Sequence, residues 1–259
     1  MACRAGRNCI TKLAWAKVYL GKSDVRPPAE HFHGLIRSDG TEVTGPSYSR
    51  QRIRFTRAEK GGYANDAPLS VRPVHVDEDW GVVSHTLIAF SATPTEGECT
   101  CFAAPMDRAR RIEAGDILKS DRGDLRVRLG GRITSHAAQT MEDFIFGGID
   151  LAPPRAFFAG LFAAKPDRLG QFVEVLSDDY KRVPIRFKPG RDGITPYVGH
   201  DVKWTSTGGW DVAGLGIFDT DDPYDPDGRL WSWRPMPYGG RVVEAGDEVV
   251  QLAGTWGLA

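Results

Sequence analysis

The chain has 259 residues with 33 Lys+Arg against 34 Asp+Glu, a net charge of -1, which is room for one large domain or two of ordinary size. At 41% hydrophobic it can bury a core, which excludes wholesale disorder, and no apolar run approaches the roughly 18 residues of a membrane span. Thirty glycines and 17 prolines favour short strands joined by turns over long helices.

In chain order, residues 1–9 read as a basic arm carrying Cys3 and Cys9, without the long apolar stretch and cleavage site of a signal peptide. A short helix is predicted over Thr11 to Leu20, where Leu13, Trp15, Val18 and Tyr19 recur at helical spacing. A Pro-Pro turn leads to an apolar strand, Phe32 to Ile36. RQRIRF follows, its Ile and Phe alternating with Arg as in a half-buried strand. VRPVHV (71–76) and the run from Trp80 to Phe90 read as a strand pair. The turn-rich TPTEGE precedes CTCFAAPM, and an E-A-G-D turn hands over to ILKSDRGDLRVRL.

The same order then repeats. EVTGPSYSRQRIRF (42–55) aligns without gaps to EVLSDDYKRVPIRF (174–187), with seven of fourteen positions identical. PPAEHFHGL (27–35) matches PPRAFFAGL (153–161). Trp80-x-Val82 matches Trp210-x-Val212, Pro105-Met106 matches Pro235-Met236, and RIEAGD (111–116) matches RVVEAGD (241–247). A tandem duplication explains this collinearity. The expected organisation is an arm at 1–9 and two all-β repeats at 10–135 and 136–259. Each repeat is a β-sandwich of jelly-roll or immunoglobulin-like type preceded by a short helix, the second helix at about 137–146. Residues 1–135 carry a balance of +5 and residues 136–259 one of -6, so copies can attract one another head to tail.

Residues kept in both copies read as fold. Trp80 and Val82, like Trp210 and Val212, stand at alternate positions and are expected to point inward together. Gly115 and Gly246 suit turns that need a positive φ, and Tyr48 and Tyr180 suit packing or a corner hydrogen bond. No catalytic motif is present: there is no G-x-S-x-G, H-E-x-x-H or Walker loop, so no catalytic residue, metal or cofactor is assigned. His31-x-His33 is a weak metal pair, because the second copy has Phe157-x-Ala159 instead. The acidic loop from Asp219 to Gly228 offers carboxylates to calcium but reads equally as a solvated turn. Arg50, Arg52 and Arg54, expected on one strand face, with Arg126 and Arg128, favour salt bridges to an acidic neighbour over nucleic acid, for which no interleaved aromatics are provided. Cys99 and Cys101 share a strand face and diverge too far to bond comfortably to each other, so Cys3, Cys9, Cys99 and Cys101 are candidates for inter-chain disulfides.

Thr41-Glu42-Val43, Tyr48, Arg50, Trp80-Gly81-Val82-Val83-Ser84-His85 and Ala114-Gly115-Asp116, with their counterparts Glu174-Val175, Tyr180, Arg182, Trp210, Gly216-Ile217-Phe218-Asp219 and Ala245-Gly246-Asp247, carry a resemblance. Over nearly its whole length, twice, the chain resembles a family of tailed-bacteriophage virion proteins of the tail-fibre or minor structural type. The resemblance implies a non-enzymatic structural protein of the virion, a head decoration, neck or tail-fibre component. Its partners would be other virion proteins and copies of itself, with no cofactor, nucleic acid or membrane. Members are usually single copies, so the fused pair departs from the pattern. The rival reading is a carbohydrate-binding module for host attachment, with exposed Tyr224, Trp231, Trp233 and Tyr238 stacking on a host surface glycan.

Overall fold

A computed structural model of the chain describes residues 9–94, 101–129, 133–164, 171–193, 195–225, 228–236 and 240–256. These form strands throughout, with two helices, α1 (Cys9–Leu20) and α2 (Ser135–Ile145). The strands of the first repeat are β1 (His31–Arg37), β2 (Gln51–Ile53), β3 (Phe55–Arg57), β4 (Tyr63–Asn65), β5 (Leu69–Val71), β6 (Asp79–Ala89), β7 (Cys101–Glu113), β8 (Leu118–Ser120) and β9 (Arg126–Val127). Those of the second are β10 (Phe157–Ala164), β11 (Val173–Glu174), β12 (Val183–Ile185), β13 (Phe187–Pro189), β14 (Pro196–Val198), β15 (Val202–Thr205), β16 (Trp210–Val212), β17 (Gly214–Phe218), β18 (Leu230–Pro235), β19 (Arg241–Val243) and β20 (Glu248–Gln251).

The duplication read in the sequence is a duplication of strand pairing. β1 pairs with β2 and β6, and β6 with β7; likewise β10 pairs with β12 and β17, and β17 with β18. The hairpin β3–β4 recurs as β13–β14, and β5–β8 as β15–β20. All these pairs are antiparallel, as an all-β layered fold with short turns requires. In the first repeat the inner face of β1 and β6 (Leu35, Trp80, Val83) packs with Ile112 of β7, Val71 of β5 and Leu118 of β8, which joins the four-stranded sheet to the two-stranded β5–β8 sheet. In the second, Phe162, Phe218 and Leu230 pack together with Phe172 and Trp233 against them, where the first repeat has its separate Ile36, Leu87 and Ala89 cluster.

Two compact units result, and their membership crosses the repeat boundary. One is built of Arg26–Arg128 and takes in Glu142–Asp150; the other is built of Leu151–Ala259 and takes in Leu13–Val25 and Leu129–Met141. In the first unit Phe146, just past α2, packs on Phe55 of β3 at 5.0 Å and Phe102 of β7 at 5.5 Å, and His31 Nε2 lies 2.7 Å from the Ile145 carbonyl oxygen. In the second unit Tyr19 of α1 packs on Phe157 and Phe187, both at 4.6 Å, and on Trp231 at 6.2 Å. Each unit is therefore completed by a helical segment from the other repeat's sequence.

Local chemistry explains these helix ends. Thr134 caps α2: its Oγ1 accepts the Ala137 N–H and donates to the Leu230 carbonyl, while its own N–H donates to the Trp231 carbonyl. At the other end Gly148 has a φ of 67°, and the N–H of Ile149 reaches back to the Asp143 carbonyl, the glycine-terminated stop of many helices.

Two expectations are corrected. Val82 is not inward: it is 42% exposed while Val83 is fully buried, because the ladder shifts between Asp79 and Gly81, where Gly81 has a φ of 73°. That bulge turns the next side chain to the other face. Trp210 and Val212, in a ladder without the shift, are both buried. The three arginines do not share a face either. Arg50 precedes β2 and is buried, whereas Arg52 is exposed and pairs with Glu30. The turn glycines are as expected, with φ of 92° at Gly115 and 91° at Gly246.

Candidate functional site

The residues that recur most faithfully, Glu-Val, Tyr-x-Arg and Gly-Leu, converge in space in both units. Glu42 Oε1 accepts the Tyr48 hydroxyl at 3.0 Å, and the Arg50 guanidinium grips the carboxylate with two bonds of 2.8 Å, from Nε to Oε1 and from Nη2 to Oε2. The Tyr48 oxygen accepts the N–H of Leu35 at 2.9 Å. The second unit repeats this with Glu174, Tyr180, Arg182 and Leu161, at 2.6 Å for the hydroxyl, 2.9 and 2.7 Å for the guanidinium, and 2.8 Å for the backbone N–H. The corner hydrogen bond expected of these tyrosines is thus present twice. Burial, and then the adjacent carboxylate, push both phenols well above their ordinary range, so they stay protonated as donors.

The glycine of the Gly-Leu pair is required by this cluster. A Cβ on Gly160 would lie 2.8 Å from Tyr180 Oη, from Glu174 Oε1 and from the Phe218 ring, and one on Gly34 would lie 2.8 Å from Tyr48 Oη. The remaining guanidinium nitrogen is used differently in the two units. Arg50 Nη1 bonds the carbonyl and hydroxyl of Ser91; Arg182 Nη1 bonds the carbonyls of Thr220 and Asp222 and so anchors the acidic loop. The hydrogen bonds described for the cluster all run within the fold.

The tryptophans that recur in both repeats are tied down in the same manner. Trp80 Nε1 donates to Glu78 at 2.9 Å, and Trp210 Nε1 donates to Ser177 at 3.0 Å. Asp179, bonded by Ser177, Thr207 and Trp210, is held well below the usual carboxylate range.

The other candidate residues are dispersed. His31 and His33 take separate partners, the Ile145 carbonyl and Thr86 Oγ1, and among the described residues no group of three or more His, Cys, Asp or Glu is placed to hold a metal. Trp231, expected to be exposed, is 3% exposed: its ring lies among Tyr19, Phe157 and His136 and its Nε1 donates to Asp219, because β18 turns this face into the core. Trp233 is half-buried against the Phe162 cluster, and Tyr224 is 70% exposed. Tyr238, Cys3 and Cys99 lie outside the described residues; Cys9 opens α1 and Cys101 opens β7.

Sequence reasoning missed one site, a cavity of about 700 Å3 in the first unit. It is lined by β1, β6 and β7 on one side and by β5, β8 and β9 on the other, with His33 among its lining residues. The signal available was the histidine itself, at a position where the second repeat has Ala159.

The clusters give the duplicated residues a place in the fold of each unit. The family model described as podophage GP4 fiber I protein gp80 matches residues 11–128 and, a second time, residues 132–258. The chain belongs to this family. Membership of the gp80 fibre family makes it a bacteriophage virion protein of fibre type, present as a tandem pair of the family's unit. No curated protein matches the chain.

Proposed function

We propose that the chain is a non-enzymatic structural component of the phage fibre, built of an arm (1–9) and two repeats (10–135 and 136–259), which assembles through contacts with copies of itself and with other virion proteins. The observation that carries this reading is that both halves match the fibre family while the residues they share are consumed in holding sheets and loops together. Among the three virion locations considered, the family's description favours the fibre over a head decoration or neck. Inter-chain disulfides through Cys3, Cys9, Cys99 and Cys101 belong to the same proposal. The carbohydrate-binding alternative is weaker, since Trp231 is buried and Trp233 half-buried. Immunogold labelling of intact particles with antibody against the chain tests the location: label along the fibres supports the reading, and label confined to the head or neck overturns it. Native mass with and without reductant tests the disulfides.

A further inference from the structure

We infer that the cavity of the first unit is a socket for the Tyr224 loop of a second copy of this chain. The inference rests on the reading that the chain works by assembling with copies of itself. The socket has an apolar floor that includes Leu35, Leu69, Val71, Ile88 and Leu118, and a volume of about 700 Å3, in the range of formed binding pockets. Lys119, Arg126 and Arg128 stand exposed at its mouth beside Asp107 and Asp124, leaving one positive charge in excess. Among the described residues neither Lys119 nor Arg128 is in a salt bridge.

His33 points to what the socket lacks. The residue is 5% exposed, its Nε2 is 2.8 Å from Thr86 Oγ1, and its Nδ1 is buried without a hydrogen-bond partner. Burial lowers its pKa to about 4, so the ring is neutral. Whichever way the proton lies between Nε2 and the Thr86 hydroxyl, Nδ1 is left without its partner, an acceptor in one tautomer and an N–H donor in the other, and an orphan of this kind is costly. The second repeat has alanine at this position, so the orphan belongs to the first repeat alone.

The second unit carries the complement. Tyr224 is 70% exposed, an aromatic ring ending in a hydroxyl donor, with the exposed carboxylates of Asp221 and Asp222 beside it. Residues 220–224 are fixed in advance: Arg182 holds the Thr220 and Asp222 carbonyls, and the Tyr224 N–H donates to Asp222 Oδ1 at 2.8 Å. Such preorganisation reduces the ordering cost of docking. The ring would enter the apolar floor, its hydroxyl, both donor and acceptor, would pair with His33 Nδ1, and the carboxylates would meet the cationic mouth. The +5 and -6 balances of the two repeats favour the same pairing. Socket and plug are different surfaces, so the contact is heterologous and propagates head to tail.

The test uses the full chain under reducing conditions, by sedimentation velocity over a concentration series. The expected result is chain-length growth that weakens with salt, with Tyr224→Ala and His33→Ala each reducing association at least tenfold. His33→Ala keeps the fold because the second repeat already uses alanine there, and circular dichroism checks it. Mixing the two variants, one with an intact socket and the other with an intact plug, should yield discrete dimers and nothing longer. Association that neither variant alters overturns this interface and leaves the self-assembly reading standing. A chain that stays monomeric at every concentration overturns both the interface and self-assembly, while particle labelling judges the virion role separately.

Discussion

Replacing Glu174 with alanine is the sharpest probe of the recurring cluster. The substitution leaves the Arg182 guanidinium 2% exposed with its Nε and Nη2 bonds gone, retaining only Nη1 on the Thr220 and Asp222 carbonyls and the Phe218 ring at 3.7 Å. It also removes the acceptor of the Tyr180 hydroxyl. Uncovering one partner of a buried pair costs about 3–5 kcal/mol. Spread over a unit of this size, that is a fall in midpoint of roughly 10–20 °C. Differential scanning calorimetry should then show the second unit melting ahead of the first, and Glu42→Ala should invert the order, so each variant carries its control in the same molecule. The apolar triple Glu174→Leu, Tyr180→Phe, Arg182→Met should be far milder, because replacing a whole buried pair by apolar groups is often neutral. A loss below about 1 kcal/mol for Glu174→Ala would refute the claim that this cluster holds the unit together.

Four further outcomes are expected. Gly160→Ala forces a methyl to within 2.8 Å of Tyr180 Oη, Glu174 Oε1 and Phe218, and urea titration should show a loss of about 1–3 kcal/mol, as for other overpacked cores. His33, lowered to about 4 in the folded state from 6.5, disfavours its charged form on folding, so its contribution is fully present above pH 6.5 and is lost as pH falls towards 4. Urea midpoints between those limits should drop by the equivalent of about 3 kcal/mol, and His33→Ala should flatten that slope. Tyr19→Ala removes ring contacts with Phe157 and Phe187 and should cost about 3–5 kcal/mol; hydrogen exchange should quicken in β10, β13 and β18 while β1 and β6 keep their protection. Phe146→Ala, losing Phe55 and Phe102, should do the reverse.

The all-β class, the duplication and most strand positions were legible because alternation and recurrence are local or collinear signals. Glu42, Tyr48 and Arg50 could be recognised as kept, but their meeting depends on how the chain folds back past β1, which spacing of six and eight residues does not reveal. The outward turn of Val82 follows from a single bulge, and only Gly81 hinted at it. Arg50 read as part of an arginine stripe because alternation continues through Gln51, although the strand begins there. The helices were visible as apolar periodicity, yet periodicity is silent about which core receives a helix. The packing of Tyr19 beside Phe157 and of Phe146 beside Phe55 is a tertiary fact with no local trace in the chain.

That crossing of helical segments bears on how such a tandem gene can change. A cut at the junction near residue 135 would not free two finished modules: the N-terminal piece would lack Glu142–Asp150, and the C-terminal piece would lack Leu13–Val25. Each fragment would carry one homeless segment and one vacant seat. Once fused, the pair is a lock with two keys exchanged, and losing either repeat by deletion would strand the survivor.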